Sequence, residues 1–165
     1  MAFPVNIRWS PVREDLSVSI PEILASTGMF YDFEIDVALE LAEDALLKGQ
    51  KSEYMFAFAE AGGEKTLGYI CYGPITMTQG RWDLYWIAVH QSARRNGIGM
   101  ALLAAAEGRM RELEGEYLYS ETSSRELYKP TRDFYVKAGF TEAAVVPEYY
   151  AAGDHKVIYM KKVGG

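Results

Sequence analysis

The chain has 165 residues, 49 % of them apolar, and a net charge of −6, which suits one compact domain spanning residues 1–165 and argues against a nucleic-acid-binding surface. A single cysteine, Cys71, and two histidines, His90 and His155, exclude a disulfide framework, zinc-finger spacing and a histidine-rich site, so no metal is expected. The start "MAFPVNIRWS" has no basic segment followed by an apolar run, and no stretch of about 18 apolar residues occurs, so a soluble cytoplasmic protein with no membrane partner is predicted.

Residues 4–9 alternate and predict an edge strand. Residues 21–49 predict helix, with Ile35, Ala38, Leu39, Ala42 and Leu46 at helical spacing and Gly49 as a stop. Two aromatic-rich runs around "AGGEK" predict a hairpin within 52–75. Residues 82–90, "WDLYWIAVH", are apolar at both alternating sets of positions, the pattern of a strand buried on both sides. A helix from "RRNGIGMA" to about Glu114 follows, with Leu103, Ala106, Met110 and Leu113 on its apolar face. Then come a short strand ("EYLYSETSS"), a helix in "YKPTRDFYVKAGF" closed by Gly139, and strands near 141–149 and 155–162 joined by "AAGD". The order β, α, α, β, β, β, α, β, α, β, β predicts a mixed α/β (α+β-like) sheet of about seven strands with about four helices. A right-handed βαβ unit makes the fourth and fifth strands parallel.

"RRNGIGMA" (94–101) sits where a strand feeds a helix. The first backbone N–H groups of a helix have no intrahelical partner and share the positive end of its dipole. Gly97 and Gly99 keep side chains away from that backbone, while Arg94 and Arg95 add charge at the rim, an arrangement suited to phosphate or pyrophosphate. The glycines also serve a tight turn and close helix–strand packing, and taken alone they do not separate the two readings. The segment lacks the Lys-Ser/Thr of a Walker loop, and Leu102 stands where a dinucleotide fingerprint needs a small residue.

"RRNGIG" fits the R/Q-x-x-G-x-G/A signature after the fourth strand of GNAT N-acetyltransferases, and "FYVKAGF" (134–140) resembles that family's later F/L-Y-x-K-x-G-F motif. The two lie in register, Tyr135 falling 38 positions after Gly97. The resemblance covers roughly residues 4–162 and implies the GNAT fold, in which strands 4 and 5 splay apart to admit acetyl-CoA. By that resemblance Arg94, Arg95, Asn96, Gly97, Ile98, Gly99 and Met100 wrap the CoA pyrophosphate. Ile87, Ala88 and Val89 run beside the pantetheine arm, and a family bulge near Ile87 frees an N–H for the thioester carbonyl. Tyr135 falls where members carry the acid that protonates the leaving thiolate. Tyr128 stands where many members have a CoA-contacting asparagine. This departure leaves that contact without its usual residue, and Ser123 or Ser124 are substitutes for it.

An alkyl amine has a pKa of about 10.4, so a base assists its attack. Asp83 occupies the place of the glutamate found in histone-type members, where a regular strand puts it on one face with Tyr85 and Ile87. Glu121 on the fifth strand is its rival, and each also reads as a solvated strand carboxylate. Phe30, Tyr31, Tyr149 and Tyr150 are candidates for the acceptor pocket or for ordinary packing. Cys71 reads as a small core residue, His90 as a strand-end polar group, His155 as a solvated turn residue, and "EGRMRELEGE" as an exposed helix face.

The expected activity is direct acetyl transfer from acetyl-CoA, without a metal, to a primary amine: a polyamine or other small amine, an amino acid or antibiotic, or a protein N-terminus or lysine. The acidic balance suits a cationic acceptor and equally suits plain solubility. The rival reading is a non-catalytic acyl-CoA sensor or partner-binding domain on the same fold. Members are often homodimers, which makes a homodimer the assembly implied here.

Overall fold

The computed structural model describes residues 4–63 and 65–164. Met1–Phe3 of the N-terminal stretch, Glu64 of the "AGGEK" sequence, and Gly165 lie outside them.

Seven strands hydrogen-bond in the order β1-β2-β3-β4-β5-β7-β6, and the chain divides into two compact units. The first unit comprises residues up to Gly73 and Tyr85–Arg109. Here β1 (Asn6–Trp9) pairs antiparallel with β2 (Met55–Ala61), and β2 with β3 (Lys65–Pro74). The region predicted as helix over 21–49 is two helices, α1 (Ile20–Thr27) and α2 (Asp32–Lys48), preceded by a π-helical turn at Asp15–Ser19. Gly28 makes the break: at φ 65 it caps α1 in the left-handed region that side chains disfavour. Tyr31 restarts the helix, its N–H donating to Glu34 Oε2 at 2.8 Å.

The core of this unit packs Ile20, Ile23 and Leu24 of α1 and the small stripe Ala38, Ala42, Ala45 of α2 over Phe56, Phe58 and Tyr69. The alanines bring α2 close to the strands, and each fully buried Leu or Ile contributes roughly 1.5–3 kcal/mol. Phe56, Phe58 and Tyr69 stack with centroids 5.9–6.1 Å apart. Cys71 is buried there as expected, and burial pushes its thiol well above its usual range. Arg8 closes the edge by holding the buried Asp15 (Nη2 to Oδ1 2.8 Å, Nη1 to Oδ2 3.0 Å), pairing with Glu60 and lying over the Phe58 ring. Helix α3 (Ile98–Glu112) starts in this unit. A side chain at Gly68 would meet the backbone Ala88 O at 2.9 Å, so only glycine lets β3 lie this close to the end of the next strand, Arg81–Val89.

The second unit comprises Pro74–Leu84 and Met110–Val163, with Gly164 at its end. The start of β4 (Arg81–Val89) pairs parallel with β5 (Tyr117–Ser123), in the rungs Arg81↔Tyr117, Trp82↔Leu118 and Asp83↔Tyr119. β5 pairs antiparallel with β7 (Asp154–Lys162), and β7 with the edge strand β6 (Thr141–Ala151). α4 (Lys129–Lys137) connects β5 to β6. All eleven residues of β6 are exposed, and its ladder with β7 is irregular between Val146 and Ala151, across Pro147.

Three expectations need correction. β4 is not buried on both sides: Trp82, Leu84 and Ala88 are buried, whereas Tyr85 is 36 % exposed. The charge run on α3 is not wholly an exposed face, because Glu107 and Met110 are buried. Nor is His155 a solvated turn residue, since it belongs to β7 and is hydrogen-bonded through both backbone and ring.

Candidate active site

In the first unit β4 ends at Val89 and the chain turns tightly. His90 closes this turn, its Nδ1 accepting the Ser92 N–H at 3.2 Å. Gln91 N–H donates to Ser26 Oγ at 3.0 Å, tying the turn to the end of α1. The next residues fold back through two left-handed positions, Arg95 at φ 64 and Gly97 at φ 76. A side chain in that region costs about 1–2 kcal/mol. Ala101 N–H donates to Gly97 O at 3.0 Å, closing the first turn of α3. The N–H groups of Ile98, Gly99 and Met100 precede that bond and so have no partner within the helix. Ile98 is buried and anchors the helix start, while Arg94, Arg95, Gly97 and Met100 are exposed around it. The predicted pyrophosphate loop is thus assembled as one surface: orphan donors, a helix positive end and two guanidinium groups, which fits a pyrophosphate. Immediately upstream, Ala88 is buried and Ile87 and Val89 are partly exposed.

Of the four aromatic residues predicted for the acceptor pocket, Phe30 and Tyr31 belong to this unit and lie in different environments. Phe30 packs on Trp86 with centroids 5.5 Å apart, beside the core. Tyr31 stacks on Phe33 at 5.6 Å, and both rings are exposed.

In the second unit a cavity of about 340 Å³ is lined by Thr78, Arg81, Asp83, Tyr119, Glu121 and Ile158, among others. The parallel ladder sets Asp83 opposite Tyr119, and the two-residue period of a strand puts Glu121 on Tyr119's face. Both rival carboxylates therefore share one cavity, in different states. Glu121 is paired, with Lys156 Nζ 2.6 Å from its Oε2. Asp83 has no hydrogen bond or ion pair among the described residues, and Arg81, which lines the cavity too, pairs instead with Glu116 at 2.7 Å. Burial pushes the Asp83 carboxyl above its usual range, the Glu121 charge adds to the rise, and Lys156 opposes it.

Lys156 was not singled out in the sequence. Its ammonium also lies 3.8 Å from the centre of the Tyr149 ring, and Tyr149 meets Tyr150 edge-on at 5.1 Å. Burial, reinforced by Glu121, raises the Tyr150 phenol above its usual value.

Tyr135 is 4 % exposed. It packs against Phe140, Tyr159 and Phe134 at 5.2, 5.4 and 5.7 Å. Burial pushes its phenol up to about 12, a rise restrained by the Ser120 hydroxyl. That hydroxyl acts from nearby without a hydrogen bond of regular geometry. The phenol is therefore a protonated group at neutral pH.

The residues around the missing asparagine are engaged internally. Tyr128 precedes α4, with the Arg125 guanidinium 5.7 Å from its ring centre. Ser123 Oγ donates to the Asp154 carboxylate and accepts the Arg125 N–H at 3.1 Å. Ser124 Oγ accepts the His155 N–H at 2.8 Å, and His155 Nδ1 accepts the Glu148 N–H at 2.8 Å. These bonds fasten the β6–β7 hairpin, which carries Tyr149 and Lys156, to the end of β5. Apart from the local Arg125–Ser123 bond, no residue pattern in the sequence announces them, because each joins positions seven or more apart.

The model of the Acetyltransferase (GNAT) family matches residues 15–140. The chain belongs to the GNAT acetyltransferase family. Its mixed seven-stranded sheet with parallel β4 and β5 and four helices is the GNAT fold. A solved GNAT-family protein from Desulfovibrio desulfuricans shares 41 % identity, with 97 % of this chain and 99 % of that chain covered and a TM-score of 0.93. The PaiA N-acetyltransferase of Thermoplasma acidophilum, solved with coenzyme A, shares the fold at 19 % identity, with coverage of 97 % and 99 % and a TM-score of 0.74. An N-alpha-acetyltransferase of Sulfurisphaera tokodaii is 42 % identical over 69 residues, 41 % of this chain. The chain thus matches about 40 % of that curated relative's length.

Proposed function

We propose that this GNAT protein transfers the acetyl group of acetyl-CoA directly to a primary amine held in the cavity of Asp83 and Glu121. The observation that carries the reading is the state of Asp83: a partly buried carboxylate without a hydrogen-bond or ion-pair partner among the described residues, beside a second carboxylate that has one. Such a group attracts an ammonium and can take its proton. The donor half of the reading rests on the Arg94–Met100 loop, whose orphan N–H groups and arginines fit the CoA pyrophosphate.

In this reading the acceptor binds as an ammonium and passes a proton toward Asp83, through water where the short side chain does not reach. The freed nitrogen attacks the thioester carbonyl; the C–N bond forms and the C–S bond breaks. Tyr135 gives its phenolic proton to the departing sulfur and recovers one from the new amide nitrogen. The net reaction releases one proton to solvent.

An α-amine, with a pKa of about 7.7–8.0, is easier to deprotonate than an alkyl amine at about 10.4. Together with the partial match to an N-alpha-acetyltransferase, this makes a protein N-terminus the first acceptor class to test. CoA release is measured with acetyl-CoA and a panel of N-terminal peptides, amino acids and alkyl amines. Acceptor-dependent release is expected. Tight acetyl-CoA binding with no release across the panel overturns the transferase reading in favour of an acyl-CoA-binding domain.

A further inference from the structure

Glu121 and Lys156 stand on neighbouring antiparallel strands. Glu121 pairs in register with Ile158, and Ser123 with Lys156, so the two charged residues sit diagonally on one face of the sheet. The Lys156 side chain is only 13 % exposed. Its ammonium is held by a carboxylate oxygen at 2.6 Å and by the face of Tyr149 at 3.8 Å. A carboxylate and an aromatic face are also the two partners with which a protein binds a free ammonium ligand. That position is therefore already filled by the chain itself. Of the cavity's two carboxylates, Glu121 has an ion-pair partner and Asp83 has none among the described residues. The charged and titratable groups around the Lys156 ammonium are Asp83 from β4, Glu121 from β5, and Tyr149 and Tyr150 from β6.

We propose that Lys156 is a specificity-determining residue, whose ammonium fills the cation position between Glu121 and Tyr149. It thereby directs the acceptor amine to Asp83 and excludes acceptors that carry a second ammonium group. A diamine would bring its second charge toward a site that already holds one. The acceptors accommodated are amines with a single positive charge near the reacting nitrogen, the α-amine of a peptide among them. The proposal rests on the reading of the cavity as the acceptor site.

The test compares butylamine with 1,4-diaminobutane. Their binding to the free protein is measured by calorimetry, and their KM values are measured with acetyl-CoA, for the wild type, Lys156→Ala and Lys156→Arg. In the wild type the diamine is expected to bind no better than the monoamine. Lys156→Ala empties the position, and diamine affinity should rise about tenfold relative to the monoamine, with a matching fall in KM. Lys156→Arg keeps the charge and should show no gain. Adding Glu121→Gln to Lys156→Ala should abolish the gain. Should Lys156→Ala lose its cooperative melt, Lys156→Thr, which suits a strand, takes its place.

Unchanged relative diamine affinity in the emptied variant overturns the proposal, as does an equal gain in Lys156→Arg. If the wild type acetylates no amine at all, the transferase reading falls, while the calorimetry still decides the role of Lys156.

Discussion

Asp83 faces Tyr119 across the last rung of the parallel β4–β5 ladder, after only three rungs. The carboxylate thus lies where regular strand pairing stops. Among the described residues it has no hydrogen-bond or ion-pair partner; burial raises its pKa, and the nearby Glu121 raises it further.

This position makes Asp83 a residue whose loss should help the fold and harm the reaction. Its carboxyl titrates above the ordinary 3.8 in the folded chain. Between the ordinary value and the folded one, the native chain binds more protons than the unfolded chain. The stability from this group is therefore complete below the unfolded pKa and lost as pH rises through the folded one. Asp83→Asn removes that loss, and Tm at pH 7 should rise by on the order of a degree, allowing for partial exposure. The gain should vanish below the ordinary carboxyl pKa. Turnover should fall by about a hundredfold or more, as for loss of a general base. A pH series of thermal melts, run beside the rate, checks both; equal activity would remove Asp83 from the mechanism.

Tyr135→Phe keeps the ring among Phe140, Tyr159 and Phe134 and deletes only the proton donor. Turnover should drop by about 10²–10⁴-fold, with acetyl-CoA affinity within about twofold of the wild type, since the phenol is assigned no ground-state contact. Because the phenol titrates at about 12, no falling limb near neutral pH should belong to it. A drop in affinity matching the drop in rate would show that the residue binds rather than protonates.

Gly97→Ala places a side chain at φ 76, in the midst of the orphan N–H groups. The conformational cost of about 1–2 kcal/mol and the added methyl should weaken acetyl-CoA binding by about tenfold or more. Arg94→Gln and Arg95→Gln should also weaken it, but with a smaller salt dependence than the wild type shows. Titration calorimetry at two ionic strengths separates the two effects. Wild-type affinity in Gly97→Ala would mean that the glycine serves packing alone.

Asp15→Ala should destabilise the protein by about 1–3 kcal/mol, because Asp15 is 1 % exposed and its removal leaves the Val12 N–H and two N–H groups of the Arg8 guanidinium without their acceptor, while Arg8 keeps its pairing with Glu60. The loss is read from urea unfolding, with the m-value unchanged. Acetyl transfer by the folded fraction should be retained.

Much of this was legible in the residues. The donor loop could be read because glycines, arginines and a helix start follow one another along the chain, so local chemistry and local structure coincide. Two helices before the second strand were expected, but the place of the break, Gly28, was not legible, since one glycine inside a helical pattern is tolerated and only its φ of 65 separates a break from a continuation. Lys156 was missed for a different reason. A lysine after a turn looks like any solvated charge until the β5–β7 register places it diagonally opposite Glu121. His155 was misread likewise: its ring bond to Glu148 depends on how the hairpin closes. Tyr85, apolar enough to look buried, is exposed because tertiary surroundings rather than composition decide the covering of a strand.

The strand β6 carries a last consequence. An edge of eleven exposed residues that includes Val145, Val146, Tyr149 and Tyr150 is the kind of surface that recruits other chains into continuous sheets. Pro147 has no N–H to offer such a ladder, and the pairing is irregular across it, while Glu142 and Glu148 add like charges on either side. The residues that disturb the hairpin next to the two tyrosines thus also act as gatekeepers against self-templated growth.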